Sequence, residues 1–218
     1  MTTRALTDLE ADCLDKALLE RGRHRDRLFL ALALGTGFRV SELLSVDWDQ
    51  LLTPSGEIAR EVVIERAQLK GGSGARRKGV RSRRVPLNER VKGAVADFLG
   101  SLGSIPHGPV FKSRVGANQP ITRGQAHRML KELAAELGLN AERIGCHSTR
   151  KAFALQVHRA AHFDLLKTQR ILGHKSPLTT ALYLETSQDE LDSIVLGLGA
   201  APAEASPTLR EARTQTSC

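Results

Sequence analysis

Aromatic side chains make up only 4% of the 218 residues, with a single tyrosine and a single tryptophan. A core built from this chain must therefore rest on Leu, Val, Ile and Ala. Cysteine is equally sparse. The three that occur, Cys13, Cys146 and Cys218, are odd in number and far apart, which excludes a disulfide framework and a C-x-x-C zinc module. Long hydrophobic runs are missing too. The longest, Leu28 to Gly37, is about half of what a bilayer span needs. The N-terminus lacks the charged start, apolar stretch and small-residue cleavage site of a signal peptide. The expectation is a cytoplasmic protein in a reducing compartment, with no membrane partner. The length predicts one domain, or one domain with a small appendage, able to bury a core without disulfides or metal.

Acid is absent from one stretch in particular. Residues 66–84, RAQLKGGSGARRKGVRSRR, hold eight basic residues and no Asp or Glu. Removing those eight from the total of 32 leaves 24 basic against 24 acidic residues, so the whole net charge of +8 sits in this segment. A concentrated basic segment attracts a polyanion, most plausibly a phosphate backbone. A solvated Arg-rich loop without a partner is the plainer alternative.

Hydrophobic periodicity predicts a mainly helical chain with a small antiparallel sheet. Thr7 and Glu10 form a capping box for a first helix, with an apolar stripe of Leu9, Cys13, Ala17 and Leu18. A second helix runs from about His24 to Leu34 and ends at Gly35 or Gly37. Its last turns are apolar all round, which predicts burial. A third spans Val40 to about Val46. Residues 58–69 are rich in β-branched side chains, with Val62, Ile64, Arg66 and Gln68 on one strand face. Residues 82–87 read as a second strand stopped by Pro86. The Gly-rich basic loop between them makes the pair a hairpin with a basic tip. Helices resume at about 88–100, 122–137, 149–161, 164–172, 178–184 and 187–197. The last is capped by Ser187 and Glu190, with a stripe of Leu191, Ile194, Val195 and Leu198. From Ala200 the composition is that of a disordered tail. No internal repeat is visible.

Four segments carry chemistry: TGFRVSELLSVDW (36–48), the hairpin with Lys70, CHSTRKAFA (146–154) and LGHKSPLTTALYLE (172–185). Their order resembles the tyrosine recombinase family of phage integrases, Xer recombinases and fimbrial invertases. That family's pattern is Arg, a hairpin Lys, His-x-x-Arg, Gly-His and then Tyr about nine residues on. The matching positions are Arg39, Lys70, His147, Arg150, His174 and Tyr183, and the resemblance spans roughly residues 5–197. It implies a catalytic domain over 1–199, a tail over 200–218, and a prokaryotic, nucleoid-associated, mobile-element enzyme.

The residue types suit metal-free phosphodiester cleavage. A tyrosine becomes a nucleophile once its proton, with a reference pKa of about 10, is removed. Tyr183 is the only tyrosine; the alternative is a core or interface phenol. Two arginines suit the non-bridging oxygens, because guanidinium is permanently charged and binds oxyanions bidentately. Arg39 falls where the buried second helix meets the third. Its plainer partner is Glu42 in a surface salt bridge, whereas we expect Glu42 to be a structural support. With a helix starting near Ser148, His147 and Arg150 converge at its N-terminal end, where amides favour an anion. The plainer alternatives are a capping role for His147 and, for His174, a loop histidine bonded to backbone.

The resemblance implies that Lys70 protonates the 5′-oxygen leaving group, with Lys78 its rival in the same loop, and that His174 hydrogen-bonds the scissile phosphate. Arg76, Arg77, Lys78, Arg81, Arg83 and Arg84 are then expected to bind DNA backbone. His158 and His162 have i, i+4 spacing but lack the Glu of H-E-x-x-H and a third ligand. They are expected at a helix surface, and no metal or other cofactor is implied.

The sequence departs from the family pattern at Lys151, where many members have His, and at Thr149, where many have Leu. It also begins almost directly at the catalytic domain, without the N-terminal helical domain of ~100 residues that most members carry. Weak DNA binding alone, or a need for accessory proteins, would follow. The resemblance implies cutting and rejoining of double-stranded DNA at inverted-repeat sites through a 3′-phosphotyrosine. A free monomer would assemble as a tetramer on DNA, without ATP. The rival readings are a DNA-binding accessory factor without recombination and a type IB topoisomerase.

Overall fold

A computed structural model describes residues 3–69, 81–114, 118–174, 176–184 and 195–196. The chain divides after Leu184 into one compact unit, Met1–Leu184, and a second, Glu185–Cys218. The first unit carries nine α-helices among the described residues: α1 (Asp8–Glu20), α2 (His24–Thr36), α3 (Val40–Leu43), α4 (Trp48–Leu51), α5 (Glu89–Leu102), α6 (Arg123–Glu136), α7 (Cys146–Ala160), α8 (Leu165–Leu172) and α9 (Pro177–Ala181). Two short strands, β1 (Glu61–Ile64) and β2 (Arg83–Pro86), pair antiparallel between α4 and α5, with Val62 opposite Val85 and Ile64 opposite Arg83. The fold is therefore mainly α with a small antiparallel sheet, as the sequence predicts.

Helix α2 is the centre of the core. Every residue from Leu28 to Leu34 is buried, and the helix packs against α1, α5 and α7. An all-round apolar helix has no solvent face to spare, so it settles between neighbours. It stops at Gly37, whose φ of 58° is left-handed. A β-carbon there would sit only 2.1 Å from the Phe153 ring of α7, so glycine serves both the turn and the close packing.

Several boundaries differ from the sequence reading. The α1 capping box forms as expected, with Thr7 Oγ1 accepting from the Glu10 amide and Glu10 accepting from that of Thr7. The buried stripe is Ala11, Leu14, Ala17 and Leu18, however, while Leu9 and Cys13 face out. Arg66 and Gln68 do not extend the face of Val62 and Ile64. The chain turns into a 3₁₀ segment at Arg66–Gln68, and Gln68 bonds back to Glu65 and Gln50. The third helix is one turn long, and α4 follows it unforeseen. Helix α7 begins at Cys146, three residues earlier than expected. Most of the helix expected at 187–197 and the whole tail from Ala200 lie outside the described residues. Of that stretch Val195 and Leu196 are helical and exposed.

Candidate active site

The chain leaves α2 through Gly37 and enters α3 at Arg39, which is extended and therefore not part of either helix. Glu42, one turn into α3, is completely buried. Its two oxygens accept from the Arg39 amide at 2.8 Å and from Arg39 Nη1 at 2.9 Å. This is not the surface salt bridge of the plainer reading. A buried carboxylate grips both ends of Arg39 and fixes the direction of a side chain that stays one-third exposed.

Arg150 lies on the first turns of α7 and is 1% exposed. Its Nη1 donates to the Gly37 carbonyl. Its Nη2 donates to the Leu172 carbonyl at 3.1 Å and to His174 Nε2 at 2.8 Å. One guanidinium thus joins the ends of α2 and α8 and the turn after α8. Since arginine only donates, His174 Nε2 must accept, which puts the imidazole proton on Nδ1. Nδ1 then donates to Thr180 Oγ1 at 3.0 Å, a buried hydroxyl on α9. The backbone of His174 is also held, its amide donating to the Gln169 carbonyl and its carbonyl accepting from Gln169 Nε2.

Tyr183 follows α9 and closes the group. Its ring centroid lies 5.1 Å from that of His174 and 5.5 Å from Arg150 Cζ. The ring packs on a small apolar cluster of Phe153, Ala154 and Leu172. His147, at the second position of α7, stays exposed.

The electrostatics of the group are dominated by burial and by its guanidiniums. Burial pushes the His174 imidazole down to about 4, with Arg150, Arg39 and Arg83 adding to the effect and Glu42 opposing it. His147 is lowered as well, first by partial desolvation of a ring that still reaches the surface, then by Arg150 and Arg39. Burial also lowers Arg150, assisted by Arg39 and opposed by Tyr183 and Glu42. Arg83 is pushed down to about 10 by burial and by Arg150 and Arg39. Three guanidiniums therefore share one carboxylate in this group, and both histidines are biased neutral.

The structure brings Arg39, His147, Arg150, His174 and Tyr183 to one end of α2. Lys70, Arg76, Arg77 and Lys78 lie outside the described residues. Arg81 is exposed, and Arg84 is exposed and paired with Glu61 at 3.0 Å. Arg83, grouped by the sequence reading with these loop arginines, instead turns inward. Its guanidinium stacks 4.9 Å from the Phe38 ring centroid and donates to two backbone carbonyls. Strand alternation is the signal that could have found it, because Arg83, Val85 and Leu87 share the inward face. Thr180 was missed as well, although it stands inside the T-T-x-x-Y segment. His162 lies beyond the end of α7 with a φ of 53°, so it does not share a helical face with His158, whose Nδ1 bonds Thr168 Oγ1 at 3.0 Å.

A model of the phage integrase family matches residues 6–190. The chain belongs to this family. The tyrosine recombinase XerD of Bradyrhizobium diazoefficiens is 34% identical over 179 residues, which cover 78% of this chain and 51% of that protein. The tyrosine recombinase XerC of Erythrobacter litoralis is 31% identical over 190 residues, covering 85% of this chain and 55% of the relative. The chain thus spans about half the length of the curated relatives it matches. Among solved structures, the XerA recombinase superposes with a TM-score of 0.69 at 20% identity, over 92% of this chain and 65% of that one. A XerH recombinase bound to a palindromic difH substrate gives 0.64 at 21% identity, over 88% and 51%. These two likenesses speak to the fold.

Proposed function

We propose that this chain cuts and rejoins DNA strands through a covalent 3′-phosphotyrosine on Tyr183. The observation that carries the reading is the packing of the only tyrosine against Arg150 and His174, within a group of three arginines that share one acid. In the step, the Tyr183 oxygen attacks the phosphorus, and the bond from phosphorus to the 5′-oxygen breaks. The phenol proton passes to solvent, and the 5′-oxygen gains one. Arg39 and Arg150 face the non-bridging oxygens and match the charge that grows on them. Lys70 delivers the leaving-group proton. One phosphoester replaces another, so the reading needs no ATP, and the guanidiniums supply the charge that a metal supplies elsewhere.

His174 enters this scheme first as an acceptor. Its Nε2 lone pair holds Arg150 in place, and Thr180 holds the imidazole. To donate to a phosphate oxygen, His174 must take up a proton or exchange tautomers as the anion arrives. A phosphate favours that protonation, since it sets a negative charge beside the imidazole among the cations that lower its pKa. The loop residues Arg76, Arg77, Lys78, Arg81 and Arg84 add sequence-independent backbone affinity. A tetramer on paired sites, a catalytic domain reaching residue 199 and a free tail beyond it belong to the same proposal.

A randomised library of nicked duplexes is incubated with the chain, denatured, and protein-linked DNA is captured. The expected result is DNA joined to Tyr183 through a 3′-phosphate, persisting in excess EDTA and vanishing in Tyr183→Phe. An adduct that survives Tyr183→Phe overturns the nucleophile assignment. Capture of bound but never covalently joined DNA favours the accessory-factor reading.

A further inference from the structure

Arg83 and Arg150 make the same kind of bond to neighbouring carbonyls of the same two helix ends. Arg83 Nη2 donates to Thr36 O at 2.9 Å and to Ile171 O at 2.8 Å. Arg150 takes the next carbonyl on each side, Gly37 O and Leu172 O. Thr36 closes α2, and Leu172 closes α8. Both helices thus aim their C-terminal carbonyls, the negative ends of their dipoles, at two guanidiniums. The stem of Arg83 also lies beside the left-handed Gly173, where a β-carbon would be 3.5 Å from Arg83 Cδ. Arg83 is the first residue of β2, so its backbone is anchored by the sheet.

We propose that Arg83 is a positioning residue for strand cleavage, which with Arg150 pins the end of α8, and so the Gly173–His174 turn, to the end of α2. The inference rests on the cleavage reading of Tyr183. Arg150 has its own side chain committed to the site, through His174 and the Tyr183 ring. A second tie that does not depend on Arg150 keeps the turn in register when a phosphate draws Arg150 away from Gly37 or Leu172. Stacking on Phe38 confines the Arg83 plane, and among the described residues its Nε and Nη1 have no partner, so its hydrogen bonds are those two carbonyls. Methionine keeps much of the apolar stem and loses both bonds. Lysine keeps the charge but carries it on a flexible stem, without the planar group that stacks on Phe38 and aims the donors.

Two measurements on the full chain test this. The first uses a nicked duplex recovered from the library. Arg83→Met should slow single-turnover adduct formation roughly 10²-fold, the scale of an ångström-sized misplacement, while duplex binding changes by less than about threefold. A neutral methylphosphonate at the cleaved position should restore much of the loss in Arg39→Ala, where charge matching is missing, and none in Arg83→Met. Unchanged cleavage in Arg83→Met overturns the proposal. So does methylphosphonate rescue of Arg83→Met, which would place Arg83 on the phosphate itself.

The second measurement needs no activity. Imidazole ¹⁵N spectra should show wild-type His174 neutral, protonated on Nδ1, and titrating near about 4. The groups facing it are Arg150, Arg39, Arg83 and Glu42, with Thr180 and Tyr183 beside the ring. In Arg83→Met the turn loosens and a cation is gone, so the midpoint should move up toward the ordinary value of about 6.5. Arg83→Lys should fall between, and it decides the matter should Arg83→Met not fold. An unmoved His174 spectrum overturns the proposal. A wild type that never forms an adduct overturns the cleavage reading alone, and the spectra still judge the clamp.

Discussion

At its N-terminal end α2 carries Arg23, Arg25 and Arg27, and each meets a carboxylate. Arg23 and Arg25 flank Asp26 at 3.0 and 2.9 Å, and Arg27 bridges Asp15, at 3.1 Å, and Asp97. At the C-terminal end Arg39 pairs with Glu42, whereas Arg83 donates to two backbone carbonyls and Arg150 to two backbone carbonyls and a histidine. A carbonyl satisfies hydrogen bonds without cancelling charge. The first end is thus neutral and finished, whereas the second is satisfied in geometry but left positive. Buried cations cost free energy unless matched, so the proposed role of this end, holding a phosphate, would supply the charge that its own residues leave unmatched.

The contrast predicts opposite phenotypes for arginines on one helix system. Arg39→Ala and Arg150→Ala should each slow adduct formation by about 10²–10³-fold, because charge developing on the phosphate loses a preorganised partner. Arg150→Ala should also lower urea-unfolding stability by about 1–3 kcal/mol, since two buried carbonyls lose their donor. Arg27→Ala should cost about 1–3 kcal/mol of stability and leave the adduct rate of the folded protein unchanged. Equal effects of Arg27→Ala and Arg39→Ala on the adduct rate would erase the distinction between the two ends.

Lys70 sharpens the comparison from the leaving-group side. Lys70→Ala should slow cleavage of ordinary DNA by about 10²–10⁴-fold, the usual worth of general acid catalysis. A bridging 5′-phosphorothiolate should restore it, because sulfur departs without a proton. The same substrate should not restore Arg150→Ala, whose loss is in charge matching. Rescue of Lys78→Ala in place of Lys70→Ala would move the acid to the other lysine.

His174 links the positive end to pH. Its folded pKa lies below the unfolded value, so between about 4 and 6.5 the unfolded chain binds the extra proton. The stabilisation from keeping His174 neutral is complete above about 6.5 and is lost as pH falls toward about 4. The shift sets a ceiling of roughly 3 kcal/mol, which solvent screening reduces to about 1–2. Unfolding midpoints measured from pH 7 to pH 4 should fall more steeply in wild type than in His174→Asn. Parallel curves would show that His174 is not held neutral by its neighbours.

How much of this was legible beforehand depends on the range of the interaction. The burial of α2, its glycine stop and the Thr7 cap are set by residues within a few positions of each other, and local patterns state them. The α1 face slipped because Leu9 and Cys13 offer a second apolar stripe, and only packing against α2 selects Leu14 and Leu18. The site residues were legible as motif positions, but their joining was not. The bond from Arg150 to the Gly37 carbonyl spans 113 positions, and no local spacing encodes it. Arg83 was misplaced by composition. Seven other basic residues in 66–84 suggested a solvated loop, while the period-2 rule placed Arg83 with Val85 on the inward face.

Its neighbour supplies the smallest effect. Arg84 points to the opposite face of β2, its side chain is 72% exposed, and it pairs with Glu61 diagonally across the hairpin. An exposed pair of this kind contributes well under about 1 kcal/mol, so Arg84→Gln should leave the unfolding midpoint almost where it was. If Arg84 reaches a backbone phosphate, as the basic-segment reading proposes, the same change should weaken duplex binding uniformly across sequences. The slope of log affinity against log salt should then shrink by about 1. The adduct rate at saturating DNA should not change, because Arg84 lies on the outward face of β2, paired with Glu61. A salt slope identical to wild type would confine Arg84 to its pair with Glu61. A lowered adduct rate at saturation would mean that the outward face of β2 is coupled to the site, and the division between Arg83 and Arg84 would fail.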